Sequence, residues 1–401
     1  MMIAVNSSDL PVTTSLVHRP MRYVGAWWKS AIITDVPGSL GLKEIAWLNN
    51  RCEELSAAGC NAMIIRPSNF DFAQQPQELA RLIDRARDVG LRVIVRLCGL
   101  SGSTDLPFEG GFKNFERDPE HSLQRAEVAL ECGAVGLDLG MLPADLDQAS
   151  DNGQTGSDAA HFARACHRLC YEHLGTSLVS AFALGAGQPQ FEGYMQNFLY
   201  QHLRDETLLE SPWSAQALRD RISSTLELRD KYGHVACWRA SSSVTELAKA
   251  PAKGAWFEQN APVRRAGLSI LSLALPGAAN VRASRLMRLP WISSMSKFYH
   301  MTPEDHERAR VTLTRAQQIR TSRNLGTGSL AWITGLDWAG PDLFVHVGAN
   351  TMVVLNTTED AVRVPRLMQP LVTSASAMPT DDDAGRTLQP GECGWFAFGT
   401  P

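Results

Sequence analysis

The sequence predicts a (β/α)8 TIM barrel followed by a C-terminal antiparallel β-sandwich domain. Three observations carry this. Eight short β-branched runs alternate with amphipathic helical runs over roughly the first 300 residues, as a parallel barrel requires. Several helical runs end on glycine, the residue that most easily takes the left-handed conformation just past a helix. After Gly326 the hydrophobic period changes from helical spacing to strict alternation. The expected boundaries are 1–325 for the barrel and 326–401 for the second domain.

In chain order, AIITDV (31–36) reads as the first strand, with a helix over 42–58 closed by Gly59. AMIIRPS (62–68) is the second strand, and ELARLIDRARDV (78–89) is a helix closed by Gly90. RVIVRL (92–97) is the third strand, followed by a helix over 122–132 closed by Gly133. AVGLDL (134–139), SLVSAFAL (177–184), LRDETLL (203–209), HVACWRA (234–240) and AANVRAS (278–284) complete the eight. Helices over 158–174, 214–231 and 262–273 lie among them. A last helix, 304–323, opens with Thr302 and Asp305 at capping-box spacing. SLAWI, LFVHV and TMVVLN then alternate as half-buried strands do.

Composition narrows the function classes. With 44% apolar and 20% charged residues the chain is an ordinary globular protein. A formal net charge of -4 without like-charge blocks speaks against a nucleic-acid or membrane-surface partner. The first twenty residues lack the basic and apolar regions of a secretory leader. The longest apolar stretch, Leu268 to Leu275, is too short to span a bilayer. The eight cysteines fall inside expected helices and strands, which fits free thiols in a reducing cytoplasm. No cofactor motif is present. GAGQPQ (185–190) reads as a turn, because no phosphate-loop pattern follows it.

A barrel of this type works at the C-terminal ends of its strands. The charged residues at those positions are Asp35, Arg66, Arg96, Asp138, Arg239 and Arg282. They are the candidate binding residues. Either they neutralise one another as ion pairs, or they hold a polar or anionic ligand. Cys166, Cys170 and His173 share a helical face, which could be drawn as a zinc site but reads better as packing, so no metal is expected. Trp27, Trp28, Trp47, Trp213, Trp238, Trp256 and Trp291 read as core and inter-domain packing, with a sugar platform as the alternative.

Five blocks carry a resemblance to a known family. AWWKSAII resembles an opening W-W-R-D-A-V-I-Y, and GLRVIVRLCGLS resembles G-L-R-V-I-L-D-L-V-P-N-H. DPEHSLQRAEVALECGAVGLDLG resembles a helix and strand ending in F-W-L-D-x-G-V-D-G-F-R-L-D. RRAGLSILSLALPG, followed by Leu289 and Pro290, resembles A-x-x-L-L-L-A-L-P-G and its E-E-L-G-L-P sequel. The β-domain that follows is the fifth. In this order they resemble glycoside hydrolase family 13, the α-amylase family, and its α-glucosidase branch.

The resemblance implies a degenerate member. The family's nucleophile falls on Gly140, and the Arg two residues before it falls on Asp138. Its general acid falls on Ala181, and its strand-seven Asn-His-Asp falls on Ser241, Ser242 and Ser243. The strand-three Asp, Asn and His fall on Arg96, Leu100 and Ser101, and the Glu pair after strand eight on Arg285 and Leu286. The lobe after strand three is reduced to a short loop, 99–118. Retaining cleavage needs two carboxylates about 5–5.5 Å apart, and Gly140 and Ala181 supply neither. The expectation is therefore a non-enzyme, a pseudoenzyme serving as a non-catalytic partner subunit or regulator in α-glucan or α-glucoside metabolism. Its partner would be an active relative or a second copy of itself. The alternatives are a carbohydrate or small-anion binding module using the vestigial pocket, and an enzyme with relocated carboxylates, Asp138 with Glu246 or Asp145. Arg96 and Asp138 exchange the family's charges on adjacent strands, so they are expected to touch. The double swap Arg96→Asp with Asp138→Arg is expected to be far milder than either single change, because it restores the polarity of the family the chain resembles.

Overall fold

The computed structural model describes the chain except for residues 1–11, 22–24, 69–74, 98–118, 143–154, 177, 184–188, 197, 205–206, 240–260, 292–301 and 398–401. The loop 99–118, Ser243 and Trp256 lie outside the described residues.

Eight parallel strands form a nearly closed barrel: β2 (Ile32–Asp35), β3 (Ala62–Ile65), β4 (Arg92–Arg96), β5 (Gly136–Leu142), β6 (Val179–Ala183), β7 (His202–Arg204), β8 (Cys237–Arg239) and β9 (Ala278–Arg282). Their order is β7-β6-β5-β4-β3-β2-β9-β8, so the sheet runs in sequence and closes by bringing β9 beside β2. The strands are apolar on both faces, as barrel strands must be. Met63, Ile65, Val93, Val95, Leu137, Leu139, Val179, Leu203, Ala279 and Val281 face the helices. The alternate residues Ile33, Ala62, Ile64 and Ile94 pack inside the barrel, as do Cys237 and Ala278.

Helices α1 (Leu42–Asn49), α2 (Cys52–Ala57), α3 (Pro76–Asp88), α4 (Pro119–Glu131), α5 (Thr155–Leu174), α6 (Pro189–Gln196), α7 (Thr207–Glu210), α8 (Ala215–Lys231), α9 (Ala261–Ala274), α10 (Ala283–Leu286) and α11 (Pro303–Ser322) connect the elements. The helix expected over 42–58 is two pieces. Asn50 Nδ2 donates to the Ala46 carbonyl at 3.1 Å, a side-chain bond that competes with the helix, and Arg51 leaves helical geometry. The strand expected over 203–209 is only His202–Arg204, and the following residues wind into α7, which buries Leu208 and Leu209. The Thr302 cap forms, accepting from the Asp305 amide at 3.1 Å.

The second unit is a six-stranded antiparallel sheet in the order β1-β10-β11-β12-β16-β14. Its strands are β1 (Thr13–His18), β10 (Leu330–Thr334), β11 (Phe344–Gly348), β12 (Thr351–Leu355), β14 (Gln369–Thr373) and β16 (Cys393–Ala397). A ribbon of β13 (Val362–Arg363) and β15 (Thr387–Leu388) covers one face, where Met352, Val354, Leu388 and Phe396 pack. The opposite face, with Val353, Leu355 and Trp395, joins the barrel's outer core. The division at 325/326 does not hold for Thr13–His18. That segment pairs with β10 and is an edge strand of the second sheet, although it precedes the barrel in sequence.

One contact holds α11 to the turn into β9, and another joins the barrel to the second sheet. Arg320 of α11, 2% exposed, donates to the carbonyls of Leu273, Leu275 and Gly277 at the turn into β9. Burial pushes its guanidinium down to about 9. Gly267 of α9 meets the second sheet so closely that a Cβ would lie 2.3 Å from the Gly391 carbonyl oxygen. Gly267→Val should therefore lower stability by about 1–3 kcal/mol, as overpacking of a filled interface does. A urea midpoint equal to wild type would show that the two surfaces part without cost.

Candidate functional site

The inward-facing residues at the C-terminal ends of the barrel strands are charged. Arg96 ends β4 and stands in register with Asp138 of β5. Its Nε donates to Asp138 Oδ1 at 2.6 Å. Its two terminal nitrogens donate to the two oxygens of Asp35, at 3.2 and 3.1 Å. One guanidinium thus bridges two carboxylates, the second in the bidentate geometry that suits its planar fork. The expected contact between Arg96 and Asp138 is present.

Asp138 is fully buried and heavily bonded. Besides Arg96, its Oδ1 accepts the Gly140 amide at 3.0 Å. Its Oδ2 accepts the Ser180 hydroxyl at 2.6 Å and pairs with Arg204 Nη2 at 2.5 Å. Arg204 also donates from Nη1 to Ser180 Oγ at 3.2 Å. Gly140 adopts a φ of 73° at an irregularity between β5 and β6, a conformation that favours glycine. This turns the backbone amide toward Asp138.

Charge balance follows from these contacts. Burial alone would raise both carboxyls. For Asp138, Arg204 and Arg96 overcome it, and for Asp35, Arg96, Arg239 and Arg204 do. Both are held below the ordinary carboxylate range. Beneath them, burial pushes His202 down to about 3, so its ring is neutral, and it packs edge-on against Trp28 with centroids 5.4 Å apart.

Of the six residues singled out from sequence, the fold brings Asp35, Arg96, Asp138 and Arg239 together, with Arg239 3.8 Å from Asp35. Arg282 is buried and stands in register beside Asp35. Arg66 lies one residue beyond β3 and is half-buried. Ala181 packs in the outer core, and its neighbour Ser180 is the β6 residue that reaches the cluster. Cys166 and Cys170 are core residues, while His173 on the same helix is exposed. Sequence reasoning missed Arg204 and Ser180. The strand expected over 203–209 put Arg204 near its start, whereas it ends β7, and Ser180 lies one position before Ala181, on the opposite face of β6.

No protein-family model matches the chain, and no curated protein matches its sequence. Solved structures do. The chain is similar to Ttha1563 from Thermus thermophilus, at 13% identity over 93% of this chain and 100% of that one, with a TM-score of 0.59. It is similar to a Nostoc punctiforme debranching enzyme, at 11% identity over 95% and 99%, TM-score 0.53. It is also similar to a cyclic α-maltosyl-(1→6)-maltose hydrolase from Arthrobacter globiformis, at 12% identity over 94% and 99%, TM-score 0.52. At these identities the likeness shows a shared two-domain fold.

The charge network changes what the double swap should do. Arg96→Met or Asp138→Asn should each cost about 3–5 kcal/mol, because each leaves buried charge uncompensated. Exchanging Arg96 and Asp138 would set a carboxylate beside Asp35 and a guanidinium beside Arg204. The swap should therefore be at least as damaging as either single change, which corrects the milder swap expected from the family polarity. Urea midpoints decide it, and a swap near wild type would mean that Asp35 and Arg204 do not feel the pair. Because both carboxyls are depressed, the stability they lend is complete above the unfolded aspartate value of about 3.9 and is lost as pH falls through the folded values. Midpoints should drop on acidification from pH 5 to pH 2.

Proposed function

We propose that this chain is a non-hydrolysing relative of the α-amylase-type barrels, a non-catalytic partner subunit or regulator linked to α-glucan or α-glucoside metabolism. The observation that carries it is the state of the two carboxylates at the barrel mouth. Asp35 and Asp138 share one guanidinium and are both held below the ordinary range. A glycosidase general acid needs a raised value, so that a proton is present at working pH. A nucleophile needs an open approach, and Asp138 instead has donors on both oxygens. At the positions where the family resemblance puts nucleophile and acid, Gly140 and Ala181 have no group for either role. Relocated chemistry at Asp138 fits less well for the same reason.

The neighbours named as debranching enzyme and maltosyl-maltose hydrolase support the carbohydrate link as a reading of the fold. A kept two-domain fold offers its outer helices and second sheet as binding surface, and an active relative or a second copy is the partner proposed. A reducing, cytoplasmic setting belongs to the same proposal, since Cys52, Cys60, Cys132, Cys166, Cys170, Cys237 and Cys393 are all free thiols. Among the described residues no helix is long and apolar enough to cross a membrane.

The purified chain should not turn over p-nitrophenyl α-glucoside, maltose, sucrose or trehalose. Turnover at ordinary rates of about 1–1000 per second, abolished by Asp138→Asn, would replace this reading with relocated catalysis. Light scattering should show self-association, or pull-down from the source cells should return an amylase-type partner. A monomer with nothing co-purifying would count against the partner role.

A further inference from the structure

β1 ends the six-stranded sheet, with β10 on one side and no described strand on the other. An edge of this kind presents backbone donors and acceptors that a further strand can pair, so sheets usually guard it with charge, proline or a bulge. The opposite edge is guarded. β14 carries Pro370, has a register irregularity between Pro370 and Val372, and packs against α11. β1 lacks these devices over its straight stretch. Val12 to Leu16 hold no charge and no proline, and the ladder to β10 is regular from Thr13 to Leu16. The irregularity comes only afterwards, between Leu16 and His18.

The same stretch is open to solvent. Thr13, Thr14 and Ser15 are exposed, and the apolar side chains of Val12 and Leu16 are 56% and 59% exposed. Alternation puts Val12, Thr14 and Leu16 on one face. Thr14 stands opposite Ile333, which packs with the smaller core beneath the β13–β15 ribbon, so this face continues that side of the sheet. Val17, on the other face, packs against the main core.

The stretch also fits its own reverse. Two antiparallel copies related by a two-fold axis at Thr14 set Thr14 against Thr14, Val12 against Leu16 and Thr13 against Ser15. Each apolar side chain then meets an apolar one, and each hydroxyl meets a hydroxyl, the cross-strand pairs that stabilise a sheet. An axis at Ser15 loses the match, because it sets Leu16 against Thr14 and Val12 against His18.

We propose that β1 is a self-association edge. A second copy of this chain lays its β1 antiparallel to the first about a two-fold at Thr14, and the two six-stranded sheets become one of twelve strands. The proposal rests on the second-copy form of the partner reading above and gives that copy its place to bind.

Sedimentation of the full chain tests it over about 1–300 µM, since strand-to-strand contacts lie at the small, weak end of specific interfaces. Wild type should pass from monomer to dimer within that range. Leu16→Lys should weaken the dimer about tenfold or more, with the wild-type urea midpoint because Leu16 is exposed. Adding Val12→Glu to Leu16→Lys should restore the dimer, because the two-fold sets residue 12 of each copy against residue 16 of the other. Thr14→Cys should join two copies by a disulfide on mild oxidation, since directly opposed strand residues lie within disulfide reach, and wild type treated alike should not. A monomer at every concentration would overturn this edge, and the wider partner reading would survive only if pull-down still returned an amylase-type relative. A dimer that Leu16→Lys leaves intact, or that the added Val12→Glu fails to restore, would overturn the edge while keeping self-association.

Discussion

The guanidinium of Arg96 lies between Asp35 and Asp138, and the upper layer of the barrel depends on it. Three strands, β2, β4 and β5, each bring an inward charge to one level of the nearly closed barrel. Water cannot solvate those charges fully there, so each must be compensated by another. Arg96 compensates both carboxylates through separate nitrogens. Arg204 and Ser180 then complete the far side of Asp138. With Arg239 of β8 pairing Asp35, six strands are cross-linked through side chains as well as through the backbone ladder.

The same arrangement determines what chemistry is open to the site. A guanidinium bridging two carboxylates lowers the proton affinity of both, the reverse of the divergent pair of environments that glycoside cleavage uses. Hydrogen bonds to both oxygens of Asp138 hold its rotamer and block its lone pairs. Below this layer Ile33, Ile64 and Ile94 fill the barrel with apolar side chains. The polar layer sits over an apolar interior.

Buried side chains cap backbone carbonyls at the turns of the barrel. Arg320 satisfies three carbonyls at the entry to β9, and Arg125 of α4 donates to the Leu97 carbonyl at the exit of β4 at 2.6 Å. Both place a charged head where strand and turn leave acceptors without a ladder partner. Through β1, the second sheet draws a segment from before the barrel against β10. The two units are therefore folded around each other, and a chain cut near 325 would remove an edge strand from its sheet.

The sequence alone determined most element types, because hydrophobic period and helix-ending glycines are local signals, though 207–209, expected as strand, is helix. It placed eight parallel strands, the long helices and the change to alternating strands after Gly326. It also placed Arg96 beside Asp138, since neighbouring strands of a parallel barrel meet in register. It could not determine where β1 belongs, because pairing with β10 spans more than 300 residues and its TTSLVH carries no local partner signal. Nor could it determine the membership of the charge cluster. Arg204 looks like an ordinary strand residue in the chain, and Arg66 looks like as good a candidate as Arg239. Which charges meet depends on barrel closure and on the side each Cβ takes, and those are properties of the assembled sheet, not of any single strand.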